Sequence, residues 1–473
     1  MTDEVSDKRR RQLIKTMAGG SVVMLAGCGG DGGSGDGGSG DGGSGDGGSG
    51  DGGSGDGGSG DGGSGDGGSG DGGSGDGDGG SMSMTYVYPG YFSNDAGSLV
   101  PMFEEANSNI NVESQQTPSD ASSTREYYVN QFVSGSSSFD VGNMDVIWPA
   151  EFAQNGWAAE MNDPEGHTEN MLQTPIDSVT VDGTMYGMPI HTDANALYYR
   201  TDLLEEAGYD EPPTTYMELV NMAQDIKDQS DQDLNGYIWQ GGSNEGLTIM
   251  WLNWLWGMGG SVRDGSGNLV VNTEEGIAAL QHAVDLIHEY EVTPESIPAS
   301  STDQNRQTFQ QGNTIFMRNW PYAVALMNED GSAVQGNFDV APMPKAEGNP
   351  DAQNSCLGGW NLFINANSEN AEAAQAFASF MASMEAQETM ALEHSRLPVR
   401  QELYSDEYYE QASQLETFAQ IVDQTSARPA TPQYSTFSEI VYTNCNAALV
   451  QNKTPEEALN DAQEEIDSEV NNA

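Results

Sequence analysis

From Met84 onward the chain alternates short apolar runs with longer stretches in which apolar residues recur every three or four positions. Asn111–Gln116 and Asp140–Trp148 read as strands. Ile277, Leu280, Val284 and Ile287 share one face of a helix, and Phe377, Phe380, Met381 and Met384 share the face of another. Trp251, Trp254 and Trp256 sit on a helix-like apolar run and read as core. Strand-like and helix-like segments in alternation imply parallel sheets covered by helices. In open sheets of that kind ligands bind beyond the carboxyl ends of the strands. The patterned region spans about 390 residues, more than one hydrophobic core normally serves, so two lobes are expected.

The residues before Met84 carry no such pattern. Asp31–Gly75 is nine copies of Asp-Gly-Gly-Ser-Gly, a composition too rich in glycine to offset the entropy of ordering, and it reads as a solvated tether. At 5–6 Å times the square root of its length, such a tether reaches roughly 40 Å on average. Its aspartates lack the spacing of a calcium cage. Ahead of it, Arg10–Arg11–Gln12–Leu13–Ile14–Lys15 matches the twin-arginine export pattern, and the apolar stretch Met17–Ala26 is too short to span a bilayer. Leu25–Ala26–Gly27–Cys28 resembles a lipobox, in which small residues precede a thiol that accepts lipid. Residues 1–27 are therefore expected to be an export signal, and residues 28–83 a lipidated cysteine followed by a linker. The alternative is a plain cleaved signal with an incidental cysteine.

Charge narrows the setting. The chain has 16 basic and 73 acidic residues, a formal charge of −57. Met84 onward holds 11 basic and 59 acidic residues, a charge near −48, with Lys227, Lys345 and Lys453 its only lysines. Such a surface repels itself in ordinary saline, whereas in about 1 M salt the Debye length falls to about 3 Å. The composition points to a high-salt habitat and disfavours nucleic acid, anionic lipid and anionic ligands. Only Cys356 and Cys445 follow Cys28. An exported protein can oxidise such a pair, and a Cys356–Cys445 disulfide and two buried thiols both stand open.

Several segments together carry a resemblance: Asp145–Ala153, Tyr186–Pro189, Leu197–Leu204, Pro212–Thr215, Phe316–Tyr322, Leu357–Trp360 and Arg428–Pro432. In order and spacing they resemble the family 1 extracellular solute-binding proteins, within the maltose/trehalose-binding group, over essentially all of Met84–Ala473. The resemblance implies an α/β fold of the periplasmic-binding-protein-like type II, with two α/β lobes, a hinge and an interlobe ligand cleft. Lobe I would hold 84–190 and 345–397, and lobe II 191–344 and 398–473. It implies the substrate-binding subunit of an ABC importer, acting as a monomer at the outer face of the membrane. That subunit would pass a trehalose-, maltose- or glucose-like sugar to permease subunits served by a separate ATPase.

A neutral sugar offers hydroxyls and mildly apolar C–H faces, so its site needs carboxylates, amides and aromatic platforms. The resemblance places stacking aromatics at Trp320 and Trp360, each in a loop context, with Tyr322 beside the first and Gly359 beside the second. Asp145 and Asp193 match positions that hold sugar hydroxyls, with Asn195 and Asp303 nearby in the pattern; a helix or turn cap is the bland reading for such aspartates. Arg428 can fork onto adjacent hydroxyls or serve as an internal salt bridge. The loop Pro89–Ala96 is expected to border the cleft, with Asn94 and Asp95 in reach of ligand. His191 stands where the group commonly has an aromatic, and a glutamate expected in the N-terminal loop is missing.

Other chemistry lacks its motifs. No Gly-Lys pair marks a Walker loop, no Gly-x-Ser-x-Gly marks a nucleophile elbow, and the five histidines show no paired metal spacing. Asp231–Gly236 resembles the start of an EF-hand loop, but its twelfth position is Gly242 rather than glutamate. No catalytic residue, cofactor or metal is assigned. The rivals are a secreted glycosidase, which also needs paired carboxylates, a surface adhesion or sensory module, and a binding protein for a non-sugar solute.

Overall fold

The structure is a computed structural model, described here for residues 81–118 and 120–472. The expected export signal, Cys28 and the Asp-Gly-Gly-Ser-Gly repeats lie outside the described residues. The strands are β1 (Met82–Pro89), β2 (Ile110–Thr117), β3 (Val141–Asp145), β4 (Thr180–Val181), β5 (Thr184–Met185) and β6 (Met188–Ala194). They continue with β7 (Ala196–Arg200), β8 (Asn235–Ile238), β9 (Thr314–Asn319), β10 (Phe338–Pro342), β11 (Ser355–Ile364) and β12 (Thr425–Ser426).

Two sheets organise the lobes. In lobe I the order is β12-β11-β3-β1-β2, with β6 also paired to β11; in lobe II it is β10-β7-β9-β8. Strands β1, β2 and β3 run parallel, as do β8 and β9, while β11 runs antiparallel to both β3 and β6. All ten residues of β11 are buried, the pattern of a strand covered on both faces. Each lobe has its own core. Phe103, Tyr128, Phe152, Phe363 and Phe377 pack in lobe I; Trp239, Trp251, Trp254, Leu280 and Phe437 pack in lobe II. The tryptophan run is core, on the helix Glu245–Gly257.

The chain changes lobe where the hydrogen bonding changes sheet. All of β6 is in the lobe I sheet and β7 is in the lobe II sheet, so the hydrogen bonding changes sheet at Asn195, next to Ala194, which already packs in the lobe II core. Lys345 and Ala346 are still tied to lobe II through the carbonyls of Thr214 (3.0 Å) and Gly257 (3.1 Å). Lobe I resumes only with β11. Farther on, Leu397 packs in the lobe II core and Val399 in the lobe I core, so the two cores interleave along this segment.

Other sequence readings shift for local reasons. The strand expected over Asp140–Trp148 ends at Asp145, whose carbonyl takes the Trp148 N–H at 3.0 Å; Pro149 then opens a helix, where a missing N–H costs nothing. The helix through Phe377 stops at Met381, and Met384 begins a new one capped by Ser383. Pro89–Ala96 is no loop: a 3₁₀ turn, Gly90–Phe92, runs into the helix Ser93–Ala106. The EF-hand-like run enters β8 at Asn235. Cys356 and Cys445 are both buried free thiols, not a disulfide, and burial pushes both pKa values up, that of Cys356 to about 12. No described helix is long and apolar enough to cross a membrane.

Candidate functional site

A cavity of about 200 Å³ lies between the lobes. Its floor comes from the lobe I sheet. Asp145 ends β3 and pairs across to Trp360 of β11, while Asp193 of β6 pairs across to Gly358. The two glycines have steric causes. A Cβ on Gly358 would stand 2.7 Å from the Trp320 ring, and one on Gly359 would stand 2.7 Å from the His191 carbonyl. Gly359 also holds φ 140°, a conformation that glycine adopts without strain. The Gly-Gly pair therefore seats one aromatic wall and introduces the next.

The walls are aromatic. Trp360 is fixed edge-on by Trp148 (centroids 5.4 Å apart), Phe92 (5.7 Å) and Tyr91 (5.8 Å). Trp320 lies against Gly358 on one side and has the Arg318 guanidinium 4.2 Å from its ring centroid. Tyr322, from the lobe II side, stacks on Tyr91 of lobe I at 5.8 Å.

Polar groups arrive largely from helix starts. Asp120, Asn244 and Ser301 cap the helices Ala121–Val133, Glu245–Gly257 and Thr302–Gln310, accepting from the N–H groups of Ser123, Gly246 and Gln304. All three caps line the cavity, as do their neighbours Ser122, Glu245 and Asp303. Helix N-termini gather beyond the carboxyl ends of strands in such sheets, which brings capping residues to the ligand side.

Two buried arginines, Arg396 and Arg428, line the cavity itself. Arg396 grips Asp95 bidentately, Nε to Oδ1 at 2.9 Å and Nη2 to Oδ2 at 2.8 Å, and donates to the Tyr91 carbonyl at 2.9 Å. Burial opposes the Asp95 charge, but Arg396 prevails and holds that carboxyl below its usual value. Arg428 joins the lobes: Nη2 donates to Asp145 Oδ1 of lobe I and Nη1 to Glu245 Oε1 of lobe II, both at 2.9 Å. Glu245 also accepts from Tyr434 and Ser438. Burial raises the Asp145 pKa to about 6; Arg428 opposes the shift and Glu245 adds to it. Asp193 is different. Its Oδ2 is 3.1 Å from His191 Nε2, and its Oδ1 is buried without a partner in a residue that lines the cavity.

Of the residues singled out from sequence, Asp145, Asp193, Asp303, Trp320, Tyr322, Gly359, Trp360 and Arg428 meet at this cavity. Asn195 and Asn94 do not line it. Asn195 is buried at the lobe crossing, where its Nδ2 donates to the Cys356 carbonyl at 2.8 Å and its N–H to Ser355 Oγ at 2.8 Å, so it is a strut. Asn94 is exposed and reaches Glu329 Oε1 at 3.3 Å. Asp95 lies beneath the cavity as the partner of Arg396 rather than on its surface. Tyr91, Asp120, Ser122, Asn244, Glu245, Ser301 and Arg396 were missed. The capping pattern Ser301-x-x-Gln304 was the signal available for one of them. Among the described residues no cluster of His, Cys, Asp or Glu is arranged to hold a metal.

Two α/β lobes joined by crossing strands around a polar and aromatic cavity define a two-lobed solute-binding protein. The chain belongs to the bacterial extracellular solute-binding protein family, whose model matches residues 83–388. It is 34% identical over 332 residues to a probable ABC transporter-binding protein of Deinococcus radiodurans, covering 69% of this chain and 78% of that one. Maltose-bound MalE3 of T. maritima superposes with a TM-score of 0.77 at 34% identity, covering 82% of this chain and 99% of that one. A solute-binding protein of Thermotoga lettingae bound with alpha-D-tagatose gives 0.75 at 26% identity, with 82% and 99% covered.

Proposed function

We propose that the chain is the substrate-binding subunit of an ABC importer and that its cavity takes a neutral sugar. The observation that carries this reading is the pairing of aromatic walls with an unoccupied acceptor. Trp320 and Trp360 flank a site where Asp193 Oδ1 is buried and unpartnered, awaiting a hydroxyl. A buried acceptor without a donor is costly, and a ligand hydroxyl removes that cost. Relatives that bind maltose and alpha-D-tagatose support the sugar class. Arg428 lines the cavity, and of the two readings weighed from sequence its fork is engaged in the salt bridge, to Asp145 and Glu245 across the lobes.

The cycle follows from that bridge. Sugar enters between open lobes, contacts both, and favours the closed form by its differential affinity. The closed monomer then docks on membrane permease subunits, with ATP hydrolysis on a separate chain. Export through the twin-arginine route, lipidation at Cys28, the tether and life in high salt complete the reading, supported by Arg10–Arg11, the Leu25–Cys28 motif and the charge of −57.

The test is calorimetric and thermal titration of the full chain in molar salt with trehalose, maltose, glucose, other sugars and glycerol phosphate. A ligand that binds only the native state raises the melting point by mass action. A rise with one sugar class is expected, and cooperative melting with no shift for any sugar overturns the assignment. A secreted glycosidase also needs paired carboxylates. Turnover of a chromogenic glycoside would select that rival.

A further inference from the structure

We propose that His191 is a positioning residue that fixes Asp193 so that one carboxylate oxygen alone is presented to ligand. The inference rests on the sugar reading of the cavity. His191 and Asp193 are two apart on β6, so their side chains share one face of the strand. The imidazole is wholly buried, 5.4 Å from the Phe92 ring between centroids, and its backbone pairs with Trp360. Nε2 lies 3.1 Å from Asp193 Oδ2, whereas Nδ1 is buried with no partner. A neutral imidazole has one donor and one acceptor nitrogen. A proton on Nδ1 would be an orphaned buried donor, so the surroundings select the tautomer with its proton on Nε2, donating to Oδ2.

That bond has a consequence for recognition. With Oδ2 occupied, the Asp193 carboxylate cannot turn freely, and Oδ1 is left as an acceptor of fixed direction at the cavity. A site that holds a buried acceptor ready for a hydroxyl discriminates sharply against the analogue lacking it, because the acceptor is then left unpaired. His191 thereby sets how strictly one hydroxyl of the ligand is demanded. An aromatic without a ring nitrogen in its place would fill the volume next to Phe92 but release the carboxylate.

The experiment has two arms on the full-length protein. The first needs no ligand: nitrogen-15 spectra of histidine-labelled protein, wild type and Asp193→Asn. The expected result is a ring with its proton on Nε2, whose Nε2 resonance moves when Asp193 is changed; a ring protonated on Nδ1 and not on Nε2 overturns the proposal whatever the cavity binds. The second arm is calorimetry with maltose, trehalose, glucose and their monodeoxy analogues. His191→Phe is expected to weaken the preferred sugar about tenfold, the loss of one bond to a charged group. It should also reduce the preference over the analogue lacking the hydroxyl that Asp193→Asn ceases to demand. His191→Gln, which returns a donor near the Nε2 position, should restore most of both. Equal losses for all sugars with discrimination intact, or no rescue by His191→Gln, would reduce His191 to a packing residue and overturn the proposal. A wild type that binds no sugar overturns the sugar reading, and with it any role of His191 in sugar recognition. The ligand-free spectra separate that failure from a mistaken hydrogen bond.

Discussion

Two buried arginines flank the cleft, and they differ in how many carboxylates each must satisfy. Arg396 faces one, Asp95, in a bidentate pair, with both side chains 2% exposed. Arg428 faces two, Asp145 and Glu245, one from each lobe. The matched pair holds Asp95 ionised against the pull of burial, while burial prevails at Asp145, where Arg428 is shared with Glu245, and raises its pKa to about 6. The first arrangement locks structure within reach of the cavity. The second leaves a carboxylate poised between states where the lobes meet. Both carboxylates are buried, so the number of carboxylates that share each cation is what separates their shifts.

The sharpest way to break this contrast is to remove each cation. Arg396→Met strands the Asp95 charge in the interior, and the expected loss of folding stability is about 3–5 kcal/mol. Arg428→Met should cost less, about 1–3 kcal/mol, because Asp145 already takes up a proton near pH 6 and can relieve the repulsion with Glu245. Its larger effect should be on closure: weaker sugar binding and a greater radius of gyration by X-ray scattering. Denaturant unfolding of both variants in molar salt measures the order. A larger stability loss for Arg428→Met than for Arg396→Met would discard the argument from charge matching.

The two aspartates also predict opposite pH slopes. Asp145 has a native pKa of about 6 against an ordinary value of 3.8, so between those values the native state holds the proton and the unfolded chain has released it. Stability contributed by this group therefore falls as pH rises from about 4 to 6, by up to about 3 kcal/mol at about 1.4 kcal/mol per unit. Asp95 behaves in reverse: its native pKa is lowered, so its contribution is present above its ordinary value of 3.8 and is lost as pH falls through the native one. Asp145→Asn should flatten the melting-temperature profile between pH 4 and 6, and Asp95→Asn should change it only below that window. A profile for Asp145→Asn that parallels wild type would remove the shared-cation account of its shift.

Much of this arrangement was legible before any coordinates. Apolar periods located two strands of the lobe I sheet and the tryptophan-rich helix, because a strand or helix face buried against a core must repeat every two or every three to four residues. The resemblance led to Asp145, Asp193, Trp320, Trp360 and Arg428. Asn195 and Asn94 lie off the cavity, and the sequence carries no sign of it, because an amide in a ligand-binding segment looks the same whether it faces the cleft, braces a crossing or points to solvent. The helix caps Asp120 and Asn244 escaped because their neighbourhoods read as ordinary turns, and only the sheet topology brings those turns to one mouth. Arg396 carries no local signal, since its partner Asp95 lies 301 positions away in the chain.

The smallest expected effect tests the contrast from its other side. Asn94 also reaches across the cleft, from the lobe I helix Ser93–Ala106 to Glu329, but its 3.3 Å contact is exposed and carries one charge rather than three. Water replaces such a bond at little cost, so Asn94→Ala should shift stability by no more than about 0.5 kcal/mol. Sugar affinity should change less than about twofold, which corresponds to a few tenths of a kcal/mol. Scattering of the variant should match wild type with and without sugar. If Asn94→Ala instead opened the lobes as far as Arg428→Met, then merely spanning the cleft would suffice to hold it shut, and the weight placed on the buried Asp145–Arg428–Glu245 cluster would be wrong.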